Sequence, residues 1–370
     1  MSTVSSDHRP CSRQAVPISE TPSGPGNASG NMVSTVASKD MTAFKARNPG
    51  RVKAAPARAT LPQGPARAKA QRLRTCNMAA MDPSLDLPET LSLERIEVNL
   101  FRGTSPDYSG ERIFGGQVIA QSLLAAYETV ESRVCHSLHC YFIRPGDPKV
   151  PILFDVDRSR DGGSFTTRRV TAIQHGKQIF NLAASFKVPE KGAEHQTPMP
   201  DVPRPESLPT EAEQRDLIME SLPAEMHDLL LRPRPVEMRT VGGHVFLIKG
   251  SSEPNSNIWM RAVAPIGDDF RMQQVVMAYA SDLSLAGNAL RPHGYIWRTP
   301  GLQSASLDHA MWFHHPSDFN RWHLYVMDSP VAAGACGFNR GSIYNEDGLL
   351  VASTAQEGLM RLHADAAAHP

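Results

Sequence analysis

The stretch from Ser306 to Pro316, running Ser-Leu-Asp-His-Ala-Met-Trp-Phe-His-His-Pro, crowds groups able to handle protons onto an apolar frame. Read as one strand, it puts Ser306 and Asp308 on a common face, because side chains alternate. The Ser306 hydroxyl both donates and accepts. A nucleophilic serine of the hydrolase type would want the turn Gly-x-Ser-x-Gly, and the stretch has none. The histidines raise the question of a metal. His309 and His315 share a face but stand about 20 Å apart when extended, and adjacent His314 and His315 point to opposite faces. No ligand set converges, so no metal is expected. His309 reads as a partly buried, hydrogen-bonded histidine rather than a general base.

Asp282 is the most informative single residue. The apolar positions Met272, Val275, Val276 and Tyr279 form a helical stripe, and continuing it lands on Asp282. A carboxylate there is costly to bury unless it is paired or faces a wet site. The same position suits a carboxylate bonding backbone amides near a helix end. Gln356 closes an apolar strand. Its amide offers both donor and acceptor to a water, or equally to loop backbone. Gly115 and Gly116 precede a helix and free backbone N–H groups for negative charge. Arg168, Arg169 and Arg144 offer phosphate contacts, although arginine on an exposed sheet is commonplace.

The elements that must carry these residues occur twice. Phe114-Gly115-Gly116-Gln117 leads into a helix striped by Ile119, Leu123, Ala126, Tyr127 and Val130. Strand-like runs follow at 136–143, 152–158, 165–173 and 178–186, separated by turns at Asp161-Gly162-Gly163 and His175-Gly176. The second copy has strands at 244–248 and 258–264, a helix from about Asp268, then strands at 304–313, 323–326, 337–344 and 349–356. Tyr141-Phe142-x-x-Pro145 matches Trp312-Phe313-x-x-Pro316, and Asp347-Gly348 matches His175-Gly176. A long helix followed by an antiparallel meander, twice over, predicts an α+β double hotdog with its twofold inside the chain.

Composition sets the outer limits. The 370 residues exceed one average domain, and 38 basic against 38 acidic residues give no charge argument for nucleic acid. No apolar run approaches membrane-spanning length. The five cysteines, Cys11, Cys76, Cys135, Cys140 and Cys336, make neither a disulfide framework nor a zinc spacing, which suits a reducing compartment. The expected division is a disordered leader or early start over 1–84, a first hotdog unit over 85–187, a linker over 188–241, a second unit with the chemistry over 242–363, and a tail over 364–370. From Met41 to Met81 the leader is basic and acid-free, as in a transit peptide.

Several segments together resemble the acyl-CoA thioesterase II family. They are Leu100-Phe101-Arg102-Gly103, Phe114-Gly115-Gly116-Gln117, 136–147, 161–165, Tyr279-Ala280-Ser281-Asp282, 306–314 and Gln356-Glu357-Gly358. The resemblance implies a double hotdog that hydrolyses fatty acyl-CoA to free acid and CoA without a cofactor, its water held by Asp282, Ser306 and Gln356. The glycines and arginines singled out above, Gly115, Gly116, Arg168 and Arg169, are the expected substrate contacts on their residue types alone. The partner is the acyl-CoA itself, and a homo-oligomer is expected. The chain ends Ala368-His369-Pro370 rather than in a peroxisomal tripeptide, so the expected location is cytoplasmic, with mitochondrial as the alternative. Two other classes stand open. A hotdog hydratase or dehydratase would want an Asp and His at the start of the long helix, and none lies between Gly115 and Ser122. A non-catalytic acyl-CoA binder would leave Asp282 structural.

Overall fold

The computed structural model describes residues 85–106, 112–221, 227, 234–243, 250–297 and 299–363. The leader, the strand expected at 244–248 and the tail lie outside these residues. Four α-helices appear among them: α1 (Leu87–Thr90), α2 (Gly115–Tyr127), α3 (Glu211–Ser221) and α4 (Phe270–Ser281). Thirteen strands form one antiparallel sheet. The first half holds β1 (Glu94–Glu97), β2 (Leu100–Gly103), β3 (Val134–Phe142), β4 (Ile152–Asp161), β5 (Phe165–Gln174) and β6 (Lys177–Lys187). The second holds β7 (Val236–Thr240), β8 (Asn255–Ala262), β9 (Leu302–Ser306), β10 (Asp308–Phe313), β11 (His323–Ala333), β12 (Cys336–Asn345) and β13 (Leu350–Leu362).

The strand order is β1-β2-β4-β5-β6-β3-β10-β13-β12-β11-β8-β7, with β9 added beside β13. It reads alike from either end, so the repeat seen in the sequence is a pseudo-twofold of the sheet. The seam is β3 against β10, where His309 lies opposite Cys140 and Trp312 opposite Ser137. α2 lies against β4, β5 and β6, and the two long helices lie against each other. One continuous core contains residues of both halves, among them Ile119, Leu138, Phe180, Val276, Met311 and Tyr325. This is the double hotdog that the sequence predicts.

The differences have physical causes. β1, β2 and β7 were not expected. β1 reads Glu-Arg-Ile-Glu and is exposed throughout, while β7 carries Glu237 and Arg239. Charged, short strands are how a sheet protects its free edges; β1 lacks the apolar alternation that marks a strand in sequence, whereas β7 keeps a brief one in Val236 and Met238. β7 ends a stretch expected to be linker. Earlier in that stretch Pro203 accepts from the Trp259 indole N–H at 2.9 Å, and Met199, Val202 and Leu208 cover an outer cluster of Trp259, Trp322, Leu324 and Tyr344. α2 is buried almost all round, Gln117, Gln121 and Ser122 included, so its apolar stripe understated its burial.

The single strand expected over 304–313 is two. Ser306 pairs with Gly358 in β9, and Ala310 pairs with Ala355 in β10. The chain therefore carries one residue more than β13 between those pairs, a bulge centred on Leu307. Its N–H reaches the Glu357 carbonyl, and its own carbonyl accepts from Phe142 N–H. A bulge re-aims side chains. It breaks the alternation assumed for Ser306 and Asp308, and turns Ser306 and His309 toward the same neighbour on β13. Nor does His315 continue the face of His309, because β10 stops at Phe313.

Candidate active site

Asp282 is the C-cap of α4, reached after a helix N-capped by Asp269, whose carboxylate accepts from Arg271 N–H. The next turn begins at Ser284 with a left-handed backbone, φ 66°. The chain thus leaves the helix abruptly, and the Asp282 side chain turns away from the helix end. It does not bond backbone amides of its own helix. Its Oδ1 accepts from Gln356 Nε2 at 3.0 Å, and the same nitrogen donates to Ser306 Oγ at 2.6 Å. Ser306 in turn hydrogen-bonds the carboxylate, and so does the backbone N–H of Gly116. Asp282, Ser306 and Gln356 therefore come together from α4, β9 and β13.

The start of α2 lies against this group. The Phe114 ring meets Tyr279 edge-on at 5.0 Å between centroids. A Cβ on Gly115 would stand 2.6 Å from Asp282 Oδ2, and one on Gly116 would collide with the Tyr279 carbonyl. Two side-chain-free residues are what let the positive end of α2 approach a carboxylate. Gly115 lines the cavity described below, and the Gly116 amide serves Asp282.

Burial pushes the Asp282 carboxyl up to about 7, against the hydrogen bonds of Gln356, Gly116 and Ser306, which favour the ionised form. The neighbouring titratable groups stay protonated. Burial raises the Cys140 thiol well above its usual range, aided by Asp282 and Asp308, and raises the Tyr325 phenol likewise. Behind Gln356 stands His309, 1% exposed, with Nδ1 2.8 Å from Gln356 Oε1 and Nε2 3.0 Å from Ser281 Oγ. Burial lowers its pKa to about 4, so it is neutral near pH 7. Sequence reasoning found His309 buried and bonded but not its link to Gln356; only the bulge makes that link, and alternation hides it.

Asp282 and Ser306 open onto a cavity of about 550 Å³. Its walls include Ile113, Val118, Phe142, Ile179, Phe180 and Trp297. Arg112 and Arg144 are exposed at its rim. Arg168 and Arg169 are not part of it. The Arg168 guanidinium is buried and engaged with Asp161 at 2.6 Å, Thr129 Oγ1 at 2.8 Å and the carbonyls of Thr129, Arg160 and Thr167. Arg169 is exposed on β5. Among the described residues no group of His, Cys, Asp and Glu side chains could hold a metal ion.

The pseudo-twofold generates a second, smaller cavity of about 340 Å³ at the other end, beside Cys135, Phe270, Gln274 and Phe313. Tyr127 stands as far from the start of α2 as Asp282 stands from the start of α4. Cys135 precedes Phe142 by the interval at which Ser306 precedes Phe313. Here the phenol, not a carboxylate, fills the corner: Tyr127 Oη accepts from Cys135 N–H at 2.8 Å and bonds the Gln274 side chain.

Comparison with known proteins identifies the family. A family model described as acyl-CoA thioesterase matches residues 232–359, and one described as the acyl-CoA thioesterase N-terminal domain matches residues 104–187. Acyl-CoA thioesterase 2 of Haemophilus influenzae is 40% identical over 281 residues, covering 75% of this chain and 97% of the relative. The crystal structure of acyl-CoA thioesterase II TesB2 from Mycobacterium marinum superposes with a TM-score of 0.61 at 38% identity, covering 75% of this chain and 99% of that one. A hot dog fold protein from Alicyclobacillus acidocaldarius shares the fold with a TM-score of 0.60 at 17% identity, over 77% of this chain and 100% of its own. Two matched halves, and a relative aligned over nearly its whole length, place this chain in the acyl-CoA thioesterase II family.

Proposed function

We propose that Asp282, Ser306 and Gln356 hold one water for attack on the thioester carbonyl of an acyl-CoA. The chain is an acyl-CoA thioester hydrolase by family; the assignment of roles to residues is the proposal. The observation that carries it is the mutual hydrogen bonding of these three side chains at the edge of an apolar cavity. A thioester carbonyl is poorly resonance-stabilised, so a positioned water suffices as nucleophile. Asp282, its pKa near neutrality, accepts the water proton as the oxygen bonds to the carbonyl carbon. The C–S bond then breaks, and the proton passes to the departing CoA thiolate. Ser306 and Gln356 fix the water's lone pair toward the carbon. The apolar walls take the acyl chain, and Arg112 and Arg144 at the rim suit the phosphates of CoA.

The test is thiol release from a saturated acyl-CoA by wild type and Asp282→Asn, with thermal unfolding of both. Loss of turnover in a folded variant is the expected result. Wild-type turnover in the variant would overturn the assignment.

The chain's surroundings follow from the same reading. Among the described residues no helix is long and apolar enough to cross a membrane. Free Cys135, Cys140 and Cys336 suit a reducing cytoplasm, and a bacterial relative fits it. The outward side of the seam exposes Tyr141 and Trp312 beside His139, an apolar strip suited to a second copy of the chain.

A further inference from the structure

We infer that His309 is a positioning residue for the water-holding set: its Nδ1–H selects which end of the Gln356 amide faces Asp282. The inference rests on the roles proposed for Asp282, Ser306 and Gln356. The two ends of an amide are nearly the same size, so packing alone does not choose between them. Hydrogen bonds do. Gln356 is fully buried, with Nε2 toward Asp282 and Ser306 and Oε1 toward His309 Nδ1.

His309 is fully enclosed and neutral, so one ring nitrogen donates and the other accepts. Two arrangements satisfy the ring. In the first, Nδ1–H donates to Gln356 Oε1, and the Ser281 hydroxyl donates to Nε2. In the second, Nε2–H donates to Ser281, whose hydroxyl turns to the Ala278 carbonyl 2.8 Å away. The second leaves a bare Nδ1 against Oε1. The amide must then flip, turning its carbonyl onto the Asp282 carboxylate and removing that carboxylate's donor. Only the first arrangement leaves an ionised Asp282 its amide donor, and it is the Nδ1–H that holds the amide in it. The bonds run from Ser281 through His309 and Gln356 to Asp282, and Ser281 and Asp282 are consecutive residues at the end of α4. The bulge at Leu307 is what brings His309 and Ser306 to the same amide.

The experiment uses the full chain with three substitutions. His309→Asn places an amide nitrogen near the site of Nδ1, His309→Gln near that of Nε2, and His309→Leu places none. For hydrolysis of a saturated acyl-CoA, His309→Asn should keep kcat within about threefold of wild type. His309→Gln and His309→Leu should lose about 10- to 100-fold in kcat with KM little changed, the loss of one buried charge-assisted contact. The acid limb of the kcat profile should also move to higher pH in His309→Gln and His309→Leu, because Asp282 loses a donor. That limb reports Asp282: Gly116, Ser306 and Gln356 are uncharged, and Cys140 on β3 and Tyr325 on β11 stay protonated.

Equal kcat and an unmoved limb in all three variants, with only Tm altered, would overturn the inference. Should His309→Leu fail to fold, the contrast between the Asn and Gln variants decides. ¹⁵N NMR of the wild-type imidazole gives a separate check, and a protonated Nε2 with bare Nδ1 would also overturn it. Asp282→Asn is assayed in parallel. If it is inactive while the His309 variants behave as wild type, this inference alone falls; if it turns over normally, the water-holding assignment falls first.

Discussion

Gly115 and Asp282 touch so closely that a single methyl group between them has nowhere to go: a Cβ on Gly115 would lie 2.6 Å from Asp282 Oδ2 and 2.8 Å from the Phe142 ring. Gly115→Ala should therefore displace the carboxylate, which is the end of a side chain, and lower kcat by about tenfold or more while the protein still folds. Gly116→Ala meets the Tyr279 backbone carbonyl instead, so the two helices must part. Overpacking of that kind costs about 1–3 kcal/mol, to be read as a lower Tm in thermal unfolding. Equal effects of the two substitutions on rate and on Tm would contradict this division.

The carboxylate should be visible in the pH profile. Asp282 accepts a proton only when ionised, and burial holds its pKa at about 7. Thus kcat should rise with pH through about 7 and level off above it. Asp282→Asn, which keeps the shape but cannot take a proton, should lose about 100- to 10,000-fold. A profile flat from about pH 5 upward would mean that the group doing the work titrates as an ordinary exposed carboxylate.

The same shift has a sign in stability. The carboxyl binds its proton more tightly in the folded chain, at about 7, than at its ordinary 3.8. Folding is therefore favoured by this group at low pH, and that contribution is lost as pH rises from about 4 through about 7. Asp282→Asn escapes the loss. Its Tm relative to wild type should be higher at about pH 8 than at about pH 5, by up to a few kcal/mol in equivalent stability. Calorimetry at the two values checks it, and a difference of the opposite sign would refute the burial argument.

On the proposed assignment, Ser306 and Gln356 position the water rather than accept its proton. Ser306→Ala and Gln356→Ala should each cost about 10- to 100-fold in kcat, less than loss of Asp282, since they remove two and three hydrogen bonds of the set respectively but leave the carboxylate. Ser306→Thr keeps the hydroxyl and should keep most of the rate. Steady-state assays with one acyl-CoA rank the four variants.

Two buried leucines tie the first described helix to the core, and a truncation that removes them should be felt. Leu87 and Leu91 are 1% and 0% exposed, and Asp86 caps α1 by accepting from Glu89 N–H at 3.1 Å. A chain beginning at Met81 should match the full chain in Tm and activity. One beginning at Leu93 forfeits two buried leucines, about 1.5–3 kcal/mol each, and should melt lower.

How much of this was legible in the sequence differs residue by residue. The doubled helix and meander showed in repeated turns such as His175-Gly176 and Asp347-Gly348, because tight turns constrain residue type strongly. Asp282 stood out because a carboxylate interrupting an apolar stripe is costly. Ser306 and Gln356 gave no such signal alone; they carried meaning through the family resemblance, and the structure brings both onto Asp282. The edge strand β1 was hidden by the charges that protect it, and β7 offered only two apolar positions, Val236 and Met238. His309 was hidden by a bulge, since one added residue reverses every side chain after it and leaves no mark in composition. Arg168 misled because a paired arginine looks like any other: its partners Thr129 and Asp161 lie on a helix-end turn and a strand end, distant in sequence or unremarkable.

The seam between β3 and β10 joins two halves that no longer need to be alike. When two identical subunits meet on a twofold, every substitution arrives at both ends of the axis together. A change that sharpens one corner must be tolerated at its mirror. Here each half has its own residues, and the two corners differ at Tyr127 and Asp282: one holds a buried carboxylate, and the other closes with a phenol bonded to Cys135 and Gln274. Covalent continuity thus lets one half specialise in rigidity while the other keeps its unsettled charge, with no concentration below which the two can drift apart.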